Sequence, residues 1–481
     1  MFSNYNNSHI LHNNAELALI ARKTTSMCFS QTLSNNCTDF VVFVKKIPLS
    51  PSYCRRIEGA LSIIPVIMLS SVFASGRQNV KLGGMNGKEF KCEPAGLYVH
   101  IPFCDAKCRY CGFYSEPIKN HDSRRLISAI ITELGRYVSA IAVQTAYIGG
   151  GSPSCLPQEL LPRLVGEITS RWPALDEFTV EVNPGQVDGD TLSRLRACGV
   201  TRLSIGAQSF VAGELEFLGR RHSAADISGA VKSAREAHFE NIGLDLIFAI
   251  PPSTGSTVLT TGPLGTGGST LKSWKHTLRA AIDLGVQHIS AYALTYEEGT
   301  PLQRAVAAGE VEPVDEETDR AMYEIAIDTL EGAGFRQYEI SNFAKPSFEC
   351  KHNLNYWLNN PYIGVGPAAG SYWRDKRTLN VADIEKYIEA IERGADVAAE
   401  SETPNHLQIA CETAVLNLRR RCGINLEEFK HRTGFEAMEL FAEPVGRYVK
   451  LGLIETSDGW LFLTRRALPI ADSVLCDFSA V

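Results

Sequence analysis

The chain has 481 residues, 44% hydrophobic and 21% charged, which is enough apolar sequence for two folded domains and a sizeable core. Its formal net charge is −7 and no run of Lys or Arg is interleaved with aromatics, which argues against nucleic acid as a partner. The 13 cysteines are odd in number and scattered along the chain, which argues against a disulfide scaffold.

Residues 1–92 read as an atypical extension. They open with an Asn- and Ser-rich segment, Asn4 to Asn14, and later carry an apolar run, Leu61 to Ala74, preceded by Arg55 and Arg56. That run copies signal-peptide grammar, yet it begins deep in the chain and is too short for a membrane span. The preferred reading is a translation start at Met68 or Met85, giving a cytoplasmic protein without a membrane span; the rival is a genuine anchor or targeting extension.

Leu97 to Ile101 reads as the first strand and leads into Cys104, Cys108 and Cys111, a Cys-x3-Cys-x2-Cys loop. Thiolates hold the irons of iron–sulfur clusters, four for a cubane, so three local cysteines leave one iron open to a small molecule. A structural zinc site with His100 as fourth ligand competes, although the spacing departs from paired zinc motifs. A thioredoxin-like reading uses only Cys108 and Cys111 and leaves Cys104 unexplained.

Onward to about residue 345, β-rich runs alternate with amphipathic helical patterns, which predicts βα units around a parallel sheet. Strands are expected at Thr145 to Ile148, Phe178 to Val182, Arg202 to Ile205, Gly243 to Ile247 and His288 to Tyr292. Sites on such barrels lie at the carboxyl ends of the strands, so the polar and glycine residues there are candidates. Gly149 to Ser154 is a turn through which backbone can approach a ligand closely, and Glu181 precedes a Pro184-Gly185 turn. Gln208 and Arg220 follow the next strand, and Asp245 lies within an apolar one, where a carboxylate is costly unless it meets a partner. Taken singly, each has a plain alternative: a connecting turn, a solvated acid or a structural hydrogen bond. Residues 251–270, rich in Gly, Ser and Thr, read as a flexible surface insertion, with a lid as the rival reading.

Past residue 335 the stretches Phe335 to Ala344 and Cys350 to Trp357 mix polar and aromatic residues, a composition suited to gripping a flat ligand, with His352 as the candidate axial ligand. Helical patterns at Ala382 to Arg393 and His406 to Arg420 precede strand-like segments at Leu451 to Glu455 and Trp460 to Leu463, which suggests a winged-helix-like cap.

The cysteine loop and its flanks, Tyr98 to Ser115, resemble the cluster loop of the radical S-adenosylmethionine superfamily, and within it the oxygen-independent coproporphyrinogen III oxidase-like family. His352-Asn353-Leu354-Asn355-Tyr356-Trp357 resembles the His-Asn-x-x-Tyr-Trp motif of that family's haem-chaperone branch, and the resemblance runs from about Leu97 to Asp472. It implies an α/β fold: a partial (β/α)6 TIM-like barrel over 93–345, a connecting segment over 346–374, and a mostly helical, winged-helix-like C-terminal domain over 375–481. It implies that Cys104, Cys108 and Cys111 hold a [4Fe-4S] cluster. By the same resemblance Tyr98, Tyr110, Gly150, Gly151, Ser152, Glu181, Gln208, Arg220, Asp245 and Ala293 contact S-adenosylmethionine, and His352 binds haem. The sequence departs from the family where Ser152 replaces Thr, Ala368 replaces Gly and Gly370 replaces His, and the last of these removes a pocket contact.

The function so implied is a haem chaperone that cleaves S-adenosylmethionine and passes haem to an acceptor protein, with an electron donor such as flavodoxin or ferredoxin. The alternative is an oxygen-independent oxidase that decarboxylates coproporphyrinogen III in porphyrin biosynthesis. Phe113 stands where such oxidases carry a further cysteine, residues 1–92 do not resemble their substrate-contacting segment, and His352 to Trp357 fits the chaperone branch.

Overall fold

The computed structural model describes residues 93–251 and 270–479; the readings placed on residues 1–92, and those on the insertion between 251 and 270, lie outside the described residues. Six parallel strands pair in sequence order: β1 (Glu93–Ile101), β2 (Ile141–Gly150), β3 (Glu177–Val182), β4 (Arg202–Gln208), β5 (Asn241–Phe248) and β6 (His288–Ala293). Each matches an expected strand and is longer. Parallel neighbours need a crossover. Helices supply it: α1 (Ser123–Leu134), α2 (Leu160–Arg171), α3 (Gly189–Ala197), α4 (Ala212–Leu218) with α5 (Ala224–Glu236), and α6 (Leu271–Asp283). Short polar side chains start them: Asp122 accepts from the Arg124 and Arg125 amides, Asp188 from Thr191, and Ser223 forms a capping box with Asp226.

Side chains alternate across each strand. Phe178, Val180, Leu203, Ile205, Leu244 and Leu246 share one core with Leu126, Leu164, Leu192 and Ile227 of the surrounding helices. The alternate positions, Thr145, Tyr147, Glu177, Thr179, Glu181, Arg202, Ser204, Asp245, His288 and Ser290, put a polar lining on the opposite, inner face. That lining supplies a site at one end and a structural problem at the other.

The barrel does not close. After α7 (Pro301–Ala307) and α8 (Glu316–Gly332), the antiparallel strands β7 (Arg336–Gln337) and β8 (Asn342–Ala344) extend the sheet beyond β6. On the other side α9 (Lys351–Trp357) leads to β9 (Tyr362–Val365), parallel to β1, and then to antiparallel β10 (Gly370–Trp373), β11 (Lys376–Asn380) and β12 (Ala398–Glu402). The full order is β12-β11-β10-β9-β1-β2-β3-β4-β5-β6-β8-β7. Residues 346–374 thus add a helix and two strands to the sheet.

The C-terminal part is mostly helical. α10 (Ile384–Glu392) packs on α1, and α11 (His406–Leu418) leads to a small antiparallel sheet of β13 (Ile424–Asn425), β14 (Ile454–Ser457) and β15 (Trp460–Leu463), in the order β13-β15-β14. The strand expected from Leu451 begins later because Leu451 caps the helix Ala442–Lys450. A buried Arg377–Glu412 ion pair fastens α11 to β11. Among the described residues no helix is long and apolar enough to cross a membrane.

Candidate functional site

β1 delivers the cysteine loop to the carboxyl end of the barrel. Phe103–Cys104 pairs with Glu116–Pro117 and closes the neck of the loop. Below it His100 uses both ring nitrogens, Nδ1 with the Tyr98 hydroxyl at 2.9 Å and Nε2 with the Tyr114 carbonyl at 3.2 Å. His100 therefore has no nitrogen left for zinc, and among the described residues no three His, Cys, Asp or Glu side chains converge on one ion position. The crown is tied down by the Arg109 amide to the Leu218 carbonyl (3.2 Å) and the Leu302 amide to the Arg109 carbonyl (2.9 Å). Burial pushes the Cys104 thiol up and the Cys111 thiol up to about 12, so a metal bound there would have to displace their protons.

Under the loop opens a cavity of about 100 Å³. Its lining brings together the three cysteines and Tyr110 with Gly150, Gly151, Ser152, Glu181, Gln208 and Asp245 from the carboxyl halves of β2 to β5 and the turns after them, and Arg220 from just past α4. The reason for the glycines differs from the expected one. A Cβ on Gly151 would stand 2.3 Å from the Phe103 carbonyl oxygen, and one on Gly149 would stand 2.8 Å from the Glu181 carboxyl, so the close approach is to the chain's own loop and acid.

Glu181 accepts from the Tyr147 hydroxyl (2.7 Å) and the Gly150 amide (3.3 Å). Burial pushes its carboxyl up to about 8. A cationic group entering the cavity would let it ionise, so the site fits an ammonium. Arg220 donates to Asn183 Oδ1 (2.5 Å) and the Gly206 carbonyl (2.9 Å) and reaches Cys108 Sγ at 3.5 Å. Asn183 in turn donates to Ser152 Oγ (2.7 Å), and Ser152 to Gln186 (2.6 Å). Gln208 has φ +66°, and its buried Oε1 has no hydrogen-bond partner, an acceptor suited to a ligand donor. Ser204 donates to Asp245 at 3.1 Å, which supplies the partner this acid requires. Asn183 and Gln186 escaped notice in the sequence; their signal was position, just past the end of β3.

A second cavity, of about 680 Å³, lies beside the first and shares Tyr110, Cys111 and Phe113 with it. Its apolar wall includes Ile247, Phe248, Leu294, Tyr323, Leu468 and Ile470. Ala293 lines this cavity and not the smaller one, and Tyr98 lines neither, standing fully buried behind His100.

His352 is the larger correction. It is fully buried, its Nδ1 bonds Thr145 Oγ1 and its Nε2 bonds the Tyr356 hydroxyl, each at 2.8 Å. Its ring stacks on Tyr147 at 5.3 Å, and burial pushes it down to about 3. Neither nitrogen is available to iron and the residue lines neither cavity. Gly96 of β1 is glycine because a Cβ there would stand 3.0 Å from Asn355 Nδ2 and 3.3 Å from the His352 ring.

A parallel half-barrel with three thiols on its β1 loop and a glycine turn after β2 defines the radical S-adenosylmethionine class of protein. The family described as "Radical SAM superfamily" matches residues 98–261, and "HemN C-terminal domain" matches 405–470. The chain is 34% identical to "Heme chaperone HemW" of Bacillus subtilis, over 79% of this chain and 98% of that one. It is 32% identical to "Radical S-adenosyl methionine domain-containing protein 1, mitochondrial" of Danio rerio, over 70% of this chain and 75% of that one. The solved Escherichia coli coproporphyrinogen III oxidase (HemN) superposes with a TM-score of 0.68 at 20% identity, covering 81% of this chain and 90% of that one, a likeness of fold. The chain belongs to the radical S-adenosylmethionine superfamily and, within its coproporphyrinogen III oxidase-like family, to the HemW-type branch.

Proposed function

We propose that this chain is a haem chaperone that binds a [4Fe-4S] cluster, S-adenosylmethionine and haem, and hands the haem to an acceptor protein. Cys104, Cys108 and Cys111 are the cluster ligands, and the smaller cavity is the cofactor site. There Glu181 takes the ammonium of the amino-acid end beside the Gly150-Gly151-Ser152 turn, while Tyr110, Gln208, Arg220 and Asp245 hold and orient the rest. Bound together, cluster and S-adenosylmethionine supply one-electron cleavage to methionine and a 5′-deoxyadenosyl radical. The electron comes from a donor of the flavodoxin or ferredoxin kind.

The observation that carries the haem reading is the match along 98% of a protein named for that role, joined to an adjoining cavity of about 680 Å³, a size that suits a flat, largely apolar ligand. Phe113, on the wall between the two cavities, offers no thiol where the oxidases have one. The haem belongs in this larger cavity, not at His352. The test is to titrate cluster-reconstituted protein with haem, then mix the loaded protein with an apo-haem protein and follow the Soret band of each. Saturable binding followed by transfer is expected; haem that stays bound, or never binds, contradicts the reading.

A further inference from the structure

The larger cavity joins its apolar wall to a charged one, with Glu297 beside the cysteine loop and further charges at two other places. At one, the start of α8 presents Glu316, Glu317 and Asp319, and burial together with Asp315 and Glu316 pushes the Asp319 carboxyl up to about 6, so a second acid is unwelcome there. At the other, Arg419 emerges from the end of α11 with only 4% of its surface exposed. Arg320 also lines the cavity, but its side chain is 60% exposed and solvent weakens it. Arg419 is therefore the cation that an anionic ligand would meet away from water.

The Arg419 guanidinium carbon stands 5.1 Å from the centroid of the Trp357 ring, the last residue of the His352-to-Trp357 motif, a cation–π contact. Nη1 donates to Asp472 Oδ1 at 3.0 Å, and Nε has no hydrogen-bond partner. Asp472 belongs to the segment Leu468 to Ser473, which itself lines the cavity, and its side chain is 33% exposed. On the protein side Glu339 lies within electrostatic reach of Arg419, and burial pushes its carboxyl up to about 7.

We infer that Arg419, seated over Trp357, anchors a carboxylate of the tetrapyrrole in the larger cavity, and that Asp472 occupies the anchor until the ligand's carboxylate replaces it. The planar fork that holds Asp472 through one nitrogen can accept a carboxylate through two. The motif from His352 to Trp357 then reaches the ligand through its tryptophan and Arg419, while its histidine builds the barrel floor. This rests on the haem reading and adds a specific contact to it.

The probes are iron protoporphyrin IX as the free diacid and as its dimethyl ester, titrated into the full-length, cluster-reconstituted protein. Wild type is expected to bind the diacid more tightly than the ester. Arg419→Gln should lose roughly ten- to a hundredfold in affinity for the diacid, the range of a charged hydrogen bond, and little for the ester. Arg419→Lys should fall between, and Trp357→Leu should show the same selective loss. Asp472→Asn removes the competitor and should tighten the diacid alone; it decides the matter if the arginine variant does not fold. An equal loss for diacid and ester in Arg419→Gln, or no gain in Asp472→Asn, overturns the anchor and leaves the haem reading intact. Wild type that binds neither probe overturns both.

Discussion

The two ends of the half-barrel are built from the same residue types, and they do opposite things. At the mouth, Glu181, Gln208, Arg220 and Asp245 line a cavity with the cysteine loop, and Gln208 keeps an acceptor without a partner. At the floor, Glu177, Arg202, His288, Cys350 and His352 are buried and line neither cavity, although Arg202 Nε and His288 Nδ1 keep no hydrogen-bond partner. Glu177 accepts from the Lys351 amide (3.2 Å), the His352 amide (3.1 Å) and the Cys350 thiol (3.4 Å), which anchors the start of α9. His288 bonds the Tyr338 hydroxyl at 2.8 Å. Polar groups aimed at a cavity are held ready for a ligand; polar groups aimed at each other hold the sheet together.

This contrast can be broken first where the expected effect is largest. Cys108→Ala should abolish the cluster with the fold intact, read as loss of bound iron and of the reduced-cluster EPR signal; a full-intensity signal would remove that residue from the ligand set. At the floor, Glu177→Gln weakens the acceptor that holds the Lys351 and His352 amides and the Cys350 thiol and should cost about 1–3 kcal/mol of stability in denaturant unfolding, the range of charged hydrogen bonds. Cluster content at low temperature should be unchanged.

His352→Ala comes next. It strands Thr145 and Tyr356 and should cost about 1–3 kcal/mol, while haem affinity measured well below the melting temperature stays at the wild-type value. A selective loss of haem binding at unchanged stability would restore the axial-ligand reading.

The smallest effect lies at Glu181. In the folded chain its carboxyl is pushed up to about 8 by burial, against an ordinary value of 4.5. Between these pH values the folded state holds a proton that the unfolded chain has released, so the residue's contribution to stability falls as pH rises through the window. Pairing with a ligand ammonium needs the ionised form, so the affinity for S-adenosylmethionine should rise with pH toward about 8 and fall above it as the ligand's own α-ammonium loses its proton. In Glu181→Gln calorimetric titrations should show weaker binding and a flat profile over the same range.

The sequence made the mouth legible and the floor illegible for a physical reason. A strand-end residue next to a glycine turn or a cysteine loop has a position that the βα rule itself predicts, so Glu181 could be singled out as a candidate without coordinates, while Gln208 and Arg220, the latter past a helix, were reached through the family resemblance. His352 and Arg419 have no such rule. Which way a histidine on a seven-residue helix faces depends on the partners it meets, here Thr145 from a strand 207 positions away. The outer strands β7 to β12 were missed because they are two to five residues long and carry Tyr, Gly, Asn and Arg in place of an apolar run. The alternation of the inner six is strong because helices cover their outer face, while their inner face stays polar.

The central question is whether this barrel carries haem or remakes a porphyrinogen. The direct measurement is an anaerobic incubation of reconstituted protein with coproporphyrinogen III, S-adenosylmethionine and a reductant, scored for protoporphyrinogen and 5′-deoxyadenosine by chromatography. The chaperone reading predicts cleavage of S-adenosylmethionine with no protoporphyrinogen. Protoporphyrinogen formed in proportion to 5′-deoxyadenosine would make the protein an oxidase and contradict it.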